Sequence, residues 1–214
     1  MDKRVSLFAL ALAASPITTY AVDVSANAAI TSNYVWRGVT QSDDHVAFSA
    51  GIDASHQSGL YGGIWASSVD FNDDTNAEID FYTGYQFSAS GWDFDLGYIY
   101  YAYQGNSDLA FSEFYSKAAI NNIEFGYSIL ADSKGSADFG DSQYFEVNYD
   151  YALTNEIDLS LHAGYSEFES SDNYQDYRIT LSQDGFSIAY SKATGNDAID
   201  DSIVFISYQM DFDL

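Results

Sequence analysis

The feature that most limits what this chain can fold into is a period of two. In "FEVNYDYAL" (145–153), Phe145, Val147, Tyr149, Tyr151 and Leu153 alternate with Glu146, Asn148 and Asp150. In "IDLSLHAGY" (157–165), Ile157, Leu159, Leu161, Ala163 and Tyr165 alternate with Asp158, Ser160, His162 and Gly164. "IEFGYSI" (123–129) and "WDFDLGYIYYAY" (92–103) repeat the pattern. Such spacing gives a strand two unlike faces, whereas an amphipathic helix returns its apolar residues every third or fourth position. Twelve runs of this kind are expected, at about 24–36, 46–56, 60–69, 77–87, 92–103, 112–120, 123–131, 143–153, 157–167, 175–183, 186–193 and 202–214, with almost nothing helical between them.

The connections narrow the choice. Long ones (37–45, 70–76, 104–111, 132–142, 168–174, 194–201) alternate with short ones (57–59, 88–91, 121–122, 154–156, 184–185). The short ones carry tight-turn pairs, Ser58-Gly59, Asn121-Asn122 and Asp184-Gly185. The long ones are acidic and polar. This rhythm is that of an all-β, up-and-down antiparallel transmembrane β-barrel, with turns at one membrane face and loops at the other. A soluble sandwich has no reason to keep it through every connection. No mature segment reaches the roughly 18 apolar residues of a membrane helix, which leaves barrel strands as the only way to cross.

Lys3 and Arg4, the apolar run "VSLFALALAA" (5–14), Pro16 and the small residues Thr19 and Ala21 read as a cleaved signal peptide over residues 1–21. The expected layout is that leader followed by one barrel over 22–214, located in the outer membrane of a Gram-negative cell. The net charge of −25 argues against a nucleic-acid partner, whose phosphates it would repel. With no cysteine, packing and backbone pairing must hold the fold without disulfides.

Alternation alone does not say whether the apolar face meets lipid or a soluble core. Aromatic residues near strand ends (Tyr34, Trp36, Phe71, Tyr85, Phe87, Trp92, Tyr151, Tyr165) suit interfacial girdles and favour lipid. The last strand, "SIVFISYQMDFDL", sets Val204, Ile206, Tyr208, Met210, Phe212 and Leu214 on one parity, resembling the C-terminal strand by which the outer-membrane assembly machinery recognises its clients. Leu214 stands where that signal usually has an aromatic.

"TSNYVWRGVTQSDD", "GLYGGIWASSVDF", "EIDFYTGYQF" and "DLGYIYYAY" resemble the proteobacterial TorF-type porins, a family of conserved exported proteins of unknown function. The resemblance spans essentially the whole mature chain. It implies an outer-membrane barrel with a porin label, and it supplies no catalytic residues and no substrate.

Parity sends Glu78, Asp80, Asp93, Asp95, Glu113, Glu124, Glu146, Asp150, Asp158 and Asp211 toward the lumen, with Arg37, Lys117 and Arg178 as the bases among them. Fixed negative charge concentrates cations, so passive diffusion of small cationic or neutral solutes is the expected function. Tyr82, Tyr101, Tyr103, Tyr115 and Tyr144 share the lumen parity and are expected to narrow the pore. The competing expectation is a closed structural barrel that presents acidic loops, held through divalent ions to lipopolysaccharide as well as to lipid. A third is a soluble secreted β-protein. No cofactor is expected. The loop acids Asp43-Asp44, Asp73-Asp74 and Asp197/Asp200/Asp201 match no calcium-loop spacing. For an enzyme, His162 with Ser160, or His45 with Asp43 or Asp73, are the available groups, and neither set carries a recognisable spacing; His56 near a turn suggests nothing more.

Overall fold

The computed structural model describes residues 22–195 and 201–214, so the expected signal peptide, residues 1–21, lies outside them. The elements in chain order are β1 (Val22–Thr31), the two-residue strands β2 (Val35–Trp36) and β3 (Val39–Thr40), then β4 (Ala47–His56), β5 (Leu60–Ser68), β6 (Ala77–Ala89) and β7 (Trp92–Gln104). After a single 3-10 turn at Ser107–Leu109 come β8 (Phe111–Ile120), β9 (Ile123–Ser133), β10 (Ser142–Ala152), β11 (Asp158–Phe168), β12 (Tyr174–Gln183), β13 (Phe186–Thr194) and β14 (Asp201–Asp213).

β1 and β4 to β14 form one closed antiparallel barrel in which every strand pairs with its sequence neighbours. The seam is β1 against β14, with Ser25 opposite Asp213 and Thr31 opposite Ser207. Twelve wall strands and the alternation of short and long connections agree with the sequence reading. Two short turns, Ser90-Gly91 (φ 53° and 83°) and Asp184-Gly185 (φ 50° and 81°), have the paired positive φ values of a two-residue turn whose twist matches that of the strands it joins. Val22 lies opposite His56, which puts the start of the barrel at the short-turn end.

The faces are inverted relative to a soluble protein. Phe48 and Phe186 are each 63% exposed and Val204 64%, whereas Glu78 and Asp176 are each 2% exposed. Each large apolar side chain left in water forgoes roughly 1.5–3 kcal/mol of burial. A continuous outer band of them therefore suits hydrocarbon. Aromatic rings gather on this outer face near the short-turn rim, where Phe87 stacks on Tyr85 at 5.8 Å and on Phe94 at 5.0 Å, and Phe94 on Trp92 at 6.5 Å.

Tyr34 and Trp36 do not belong to that girdle. The first strand, expected to run to residue 36, ends at Thr31, and the chain then turns into the barrel. Phe71 likewise packs on the inward-facing Tyr103, with ring centroids 5.7 Å apart.

Candidate functional site

The segment between β1 and β4 is a hairpin folded into the lumen. Val35 pairs with Thr40 and Trp36 with Val39, and Arg37-Gly38 form the tip at φ 46° and 80°. Positive φ at both tip positions is the two-residue hairpin geometry, and glycine meets it without strain at the second. Asn33 builds the base: its Oδ1 accepts from the Thr40 hydroxyl at 2.7 Å and its Nδ2 donates to Asp44 at 2.6 Å. Gln41 N–H donates to the Tyr34 carbonyl at 2.6 Å.

From this base the hairpin reaches many strands. Tyr34 donates to Glu78 Oε1 on β6 at 2.9 Å and meets Trp65 of β5 edge-on at 5.6 Å. Trp36 lies against Tyr101 of β7 at 5.9 Å and Phe111 of β8 at 6.2 Å. Arg37 donates through both terminal nitrogens to the two oxygens of Glu113, each at 2.8 Å. Its guanidinium sits 4.2 Å from the Trp36 ring and 4.1 Å from the Tyr144 ring, which is cation–π range on both faces. At the tip, a Cβ on Gly38 would lie 2.6 Å from the Asp176 Cβ and 3.0 Å from that of Ala193. The wall there is made of small side chains: Ala189, Ser191 and Ala193 of β13 are 2%, 2% and 0% exposed.

A second network lies on the β10–β12 wall. His162 Nε2 is 2.8 Å from Asp176 Oδ1 and 2.9 Å from the Tyr144 hydroxyl, and Nδ1 is 2.7 Å from Asn148 Oδ1. Tyr144 donates to Asp176 Oδ2 at 3.0 Å. Lys117 donates to Glu124 at 3.0 Å and lies 3.6 Å from Glu146. Arg178 forms no ion pair among the described residues.

The inner tyrosines expected to narrow the bore line the cavity under the hairpin at Tyr82, Tyr101, Tyr115 and Tyr144. Tyr82 and Tyr115 lie flat over Gly63 and Gly97, their direct cross-strand partners, and Tyr144 covers Gly164. A Cβ on Gly63 would come within 2.5 Å of the Tyr82 ring. The missing side chain lets each ring lie along the wall instead of across it. Tyr101 stacks on Phe111 at 4.4 Å. The element that crosses the lumen is the hairpin.

The remaining sequence candidates are placed as follows. Asp95 accepts from Tyr61 at 2.5 Å and from Gln86 at 3.0 Å, and Tyr61 also bonds the Tyr115 hydroxyl. Asp93 accepts from Ser88 at 2.6 Å and Asp150 from Ser160 at 2.5 Å, both toward the short-turn end, where Asp158 and Asp211 line a cavity of about 740 Å³. Ser160 is thus tied to Asp150 and forms no pair with His162. A cavity of about 560 Å³ under the hairpin tip shares Arg178 with that one, and shares Gln86, Asp95, Lys117 and Glu124 with a third of about 620 Å³ at the short-turn mouth. Neighbouring cavities are thus spread along the lumen from the short-turn end up to the hairpin.

At the outer rim, Asp43, His45 and Asp70 bring one ligand atom each within 4.8 Å of one another, with His45 Nδ1 3.6 Å from Asp70. Asp73 is occupied in its own turn, accepting from Thr75 N–H at 2.7 Å, and Asp197 and Asp200 lie outside the described residues. His56 Nδ1 is 2.7 Å from the Ser58 hydroxyl, within its turn. Hydrogen bonding to Asp141 and its negative charge raise the Glu169 carboxyl above its ordinary value.

Sequence reasoning missed Asp53, Tyr61, Trp65 and Asp176 as inner residues of note. All four sit on the lumen parity, so the signal was present; Tyr82 donates to Asp53 at 2.5 Å.

Among solved structures, the fold resembles a chain from a study of in-meso crystallization of membrane proteins, with TM-score 0.61 and 7% identity over 90% of this chain and 84% of that one. It also resembles a KdgM porin solved in complex with disordered oligogalacturonate, with TM-score 0.55 and 7% identity over 90% of this chain and 99% of that one. At such identities the likeness is one of fold. No curated protein matches the chain. The model of a family described as "Bacterial protein of unknown function (Gcw_chp)" matches residues 11–205, and the chain belongs to that family.

Proposed function

We propose that this protein is an outer-membrane porin, exported by a signal peptide over residues 1–21, that passes small cationic or neutral solutes by passive diffusion. The observation that supports cation preference is the charge balance along the inner wall. Arg37 is neutralised by Glu113, and Lys117 is shared between Glu124 and Glu146. Asp53 and Asp95 accept hydrogen bonds from neutral donors, Tyr82, Asn27, Tyr61 and Gln86. A lumen with surplus carboxylate favours cations and disfavours an acidic polymer such as the oligogalacturonate of the KdgM complex. The TorF-type resemblance of "YVWRG…Q" supports the same porin reading. This reading takes the protein as a non-enzymatic channel, in keeping with the porin fold it resembles.

The test is a planar-bilayer recording under a potassium chloride gradient. A reversal potential of the sign that marks cation flow is expected; zero conductance or anion preference at neutral pH refutes the proposal. The hairpin across the lumen favours one second reading, a closed barrel that acts through its acidic loops at lipopolysaccharide. That reading predicts no swelling of proteoliposomes in small sugars.

A further inference from the structure

Glu78 and Asp80 sit two residues apart on the inner face of β6 and are 2% and 6% exposed. Glu78 has hydroxyls beside it, from Tyr34 at 2.9 Å and from Tyr103. Asp80 lies near the same hydroxyls, yet its Oδ1 is buried without a hydrogen-bond partner. In register, Asp80 lies between Trp65 of β5 and Tyr101 of β7, neither of which carries positive charge. Arg37 is fully engaged by the two oxygens of Glu113. Among the described residues no ion pair involves Glu78 or Asp80. A buried carboxylate in proteins is paired, coordinated to metal or held protonated, and this pair has neither a basic side chain nor a full set of donors, which leaves it open to a cation that displaces its protons.

We propose that Glu78 and Asp80 bind a divalent cation of the calcium class, with the Tyr34 and Tyr103 hydroxyls completing the site. All the donors are hard oxygens, and no nitrogen or sulfur ligand stands among them, which selects calcium over zinc or copper. Two carboxylates balance a charge of two. Calcium tolerates an irregular shell of six to eight oxygens, whereas magnesium demands a near-ideal octahedron and keeps its waters, which a site this buried leaves little room for. Tyr34 belongs to the arm of the hairpin, so an ion at Glu78 and Asp80 fastens that arm to β6. The inference depends on where the hairpin lies and is independent of whether the barrel conducts.

Terbium luminescence tests it on the full barrel in detergent, because Trp65 and Tyr34 would sensitise a lanthanide held there. The wild type is compared with Glu78→Gln/Asp80→Asn and with Asp43→Asn/Asp70→Asn, which removes the exposed rim cluster. A long-lived, poorly hydrated emission component, displaced by calcium, is expected in the wild type and in the rim variant and is lost in the β6 variant. Emission that is short-lived and fully hydrated, or that survives the β6 substitution, overturns the proposal; so does the absence of calcium displacement. If the double variant does not fold, as judged by its gel shift on boiling, the single Asp80→Asn and the hydration number of the wild-type emission decide. A poorly hydrated, calcium-displaceable site supports the assignment, and a signal confined to hydrated loops refutes it.

Discussion

Truncating Arg37 to alanine removes both 2.8 Å bonds to Glu113 and withdraws the guanidinium from between the Trp36 and Tyr144 rings. The side chains of Arg37 and Glu113 are 11% and 4% exposed, so the pair is largely buried. Removing one partner of a buried pair costs about 3–5 kcal/mol, because the other charge is left uncompensated. Giving up each cation–π interaction adds roughly 0.5–2 kcal/mol. The barrel need not unfold to escape this cost: lifting the hairpin lets water reach Glu113. The loss therefore falls on hairpin docking, and about 3–5 kcal/mol corresponds to roughly a 10²–10⁴-fold change in the docked-to-lifted ratio. In planar bilayers, Arg37→Ala is expected to raise single-channel conductance or to introduce large open excursions.

Two companion variants separate the causes. Arg37→Lys keeps the charge but loses the bidentate geometry and the stacking, so an intermediate conductance is expected. Adding Glu113→Gln to Arg37→Ala removes the charge left uncompensated under a docked hairpin, so the hairpin docks again in part and conductance falls back toward that of the wild type. An Arg37→Ala barrel with wild-type conductance and wild-type stability refutes the reasoning.

Gly97→Val puts a Cβ in the space that the Tyr115 ring occupies, so the ring must swing into the bore; a loss of about 1–3 kcal/mol in chemical unfolding and a lower conductance are expected. Ile206, 59% exposed on the outer face of β14, should lose about 2–4 kcal/mol when replaced by arginine if it lies near the bilayer midplane, measured by unfolding from lipid, whereas arginine at the inward Ser207 should cost far less. Glu169 should titrate above an ordinary glutamate in a carbon-detected NMR experiment and return toward it in Asp141→Asn. Because the fold favours its protonated form, its contribution is fully present below the ordinary glutamate range and fades as pH rises through the folded value.

Most of the wall was legible because its rule is local. Side-chain direction alternates residue by residue, so Glu146, Asn148 and Asp150 declare their face without knowledge of any partner. The hairpin was not legible by that rule. Two-residue strands are too short to show alternation, and "NYVW" continues the parity of β1 so smoothly that Tyr34 and Trp36 read as a girdle. A different signal was available: Val39 is an apolar residue in a connection expected to be acidic and polar, and Arg37-Gly38 just before it fits a tight turn. Asp176 escaped notice for another reason. Its importance arises from its packing against Tyr144, His162 and the tip of the hairpin, none of which sequence spacing encodes.

The hairpin also explains features of the wall that lie far from it in the sequence. A barrel interior of fixed strand number has fixed space, so an element threaded through it must displace side chains that would otherwise fill the bore. On β13 the inward row is Ser187, Ala189, Ser191 and Ala193, all small, and the tip rests there. On β5, β7 and β11 the inward glycines Gly63, Gly97 and Gly164 let tyrosine rings lie back against the wall. Charge follows the same division. Glu113 and Asp176 meet the hairpin tip, while Asp211 and Asp158 line the cavity toward the short turns and Asp95 lines both the cavity under the tip and the one at the short-turn mouth. The outer part of the lumen is thus built around a docked peptide and the inner part around open cavities, with the Arg37–Glu113 pair holding the hairpin tip where the two meet.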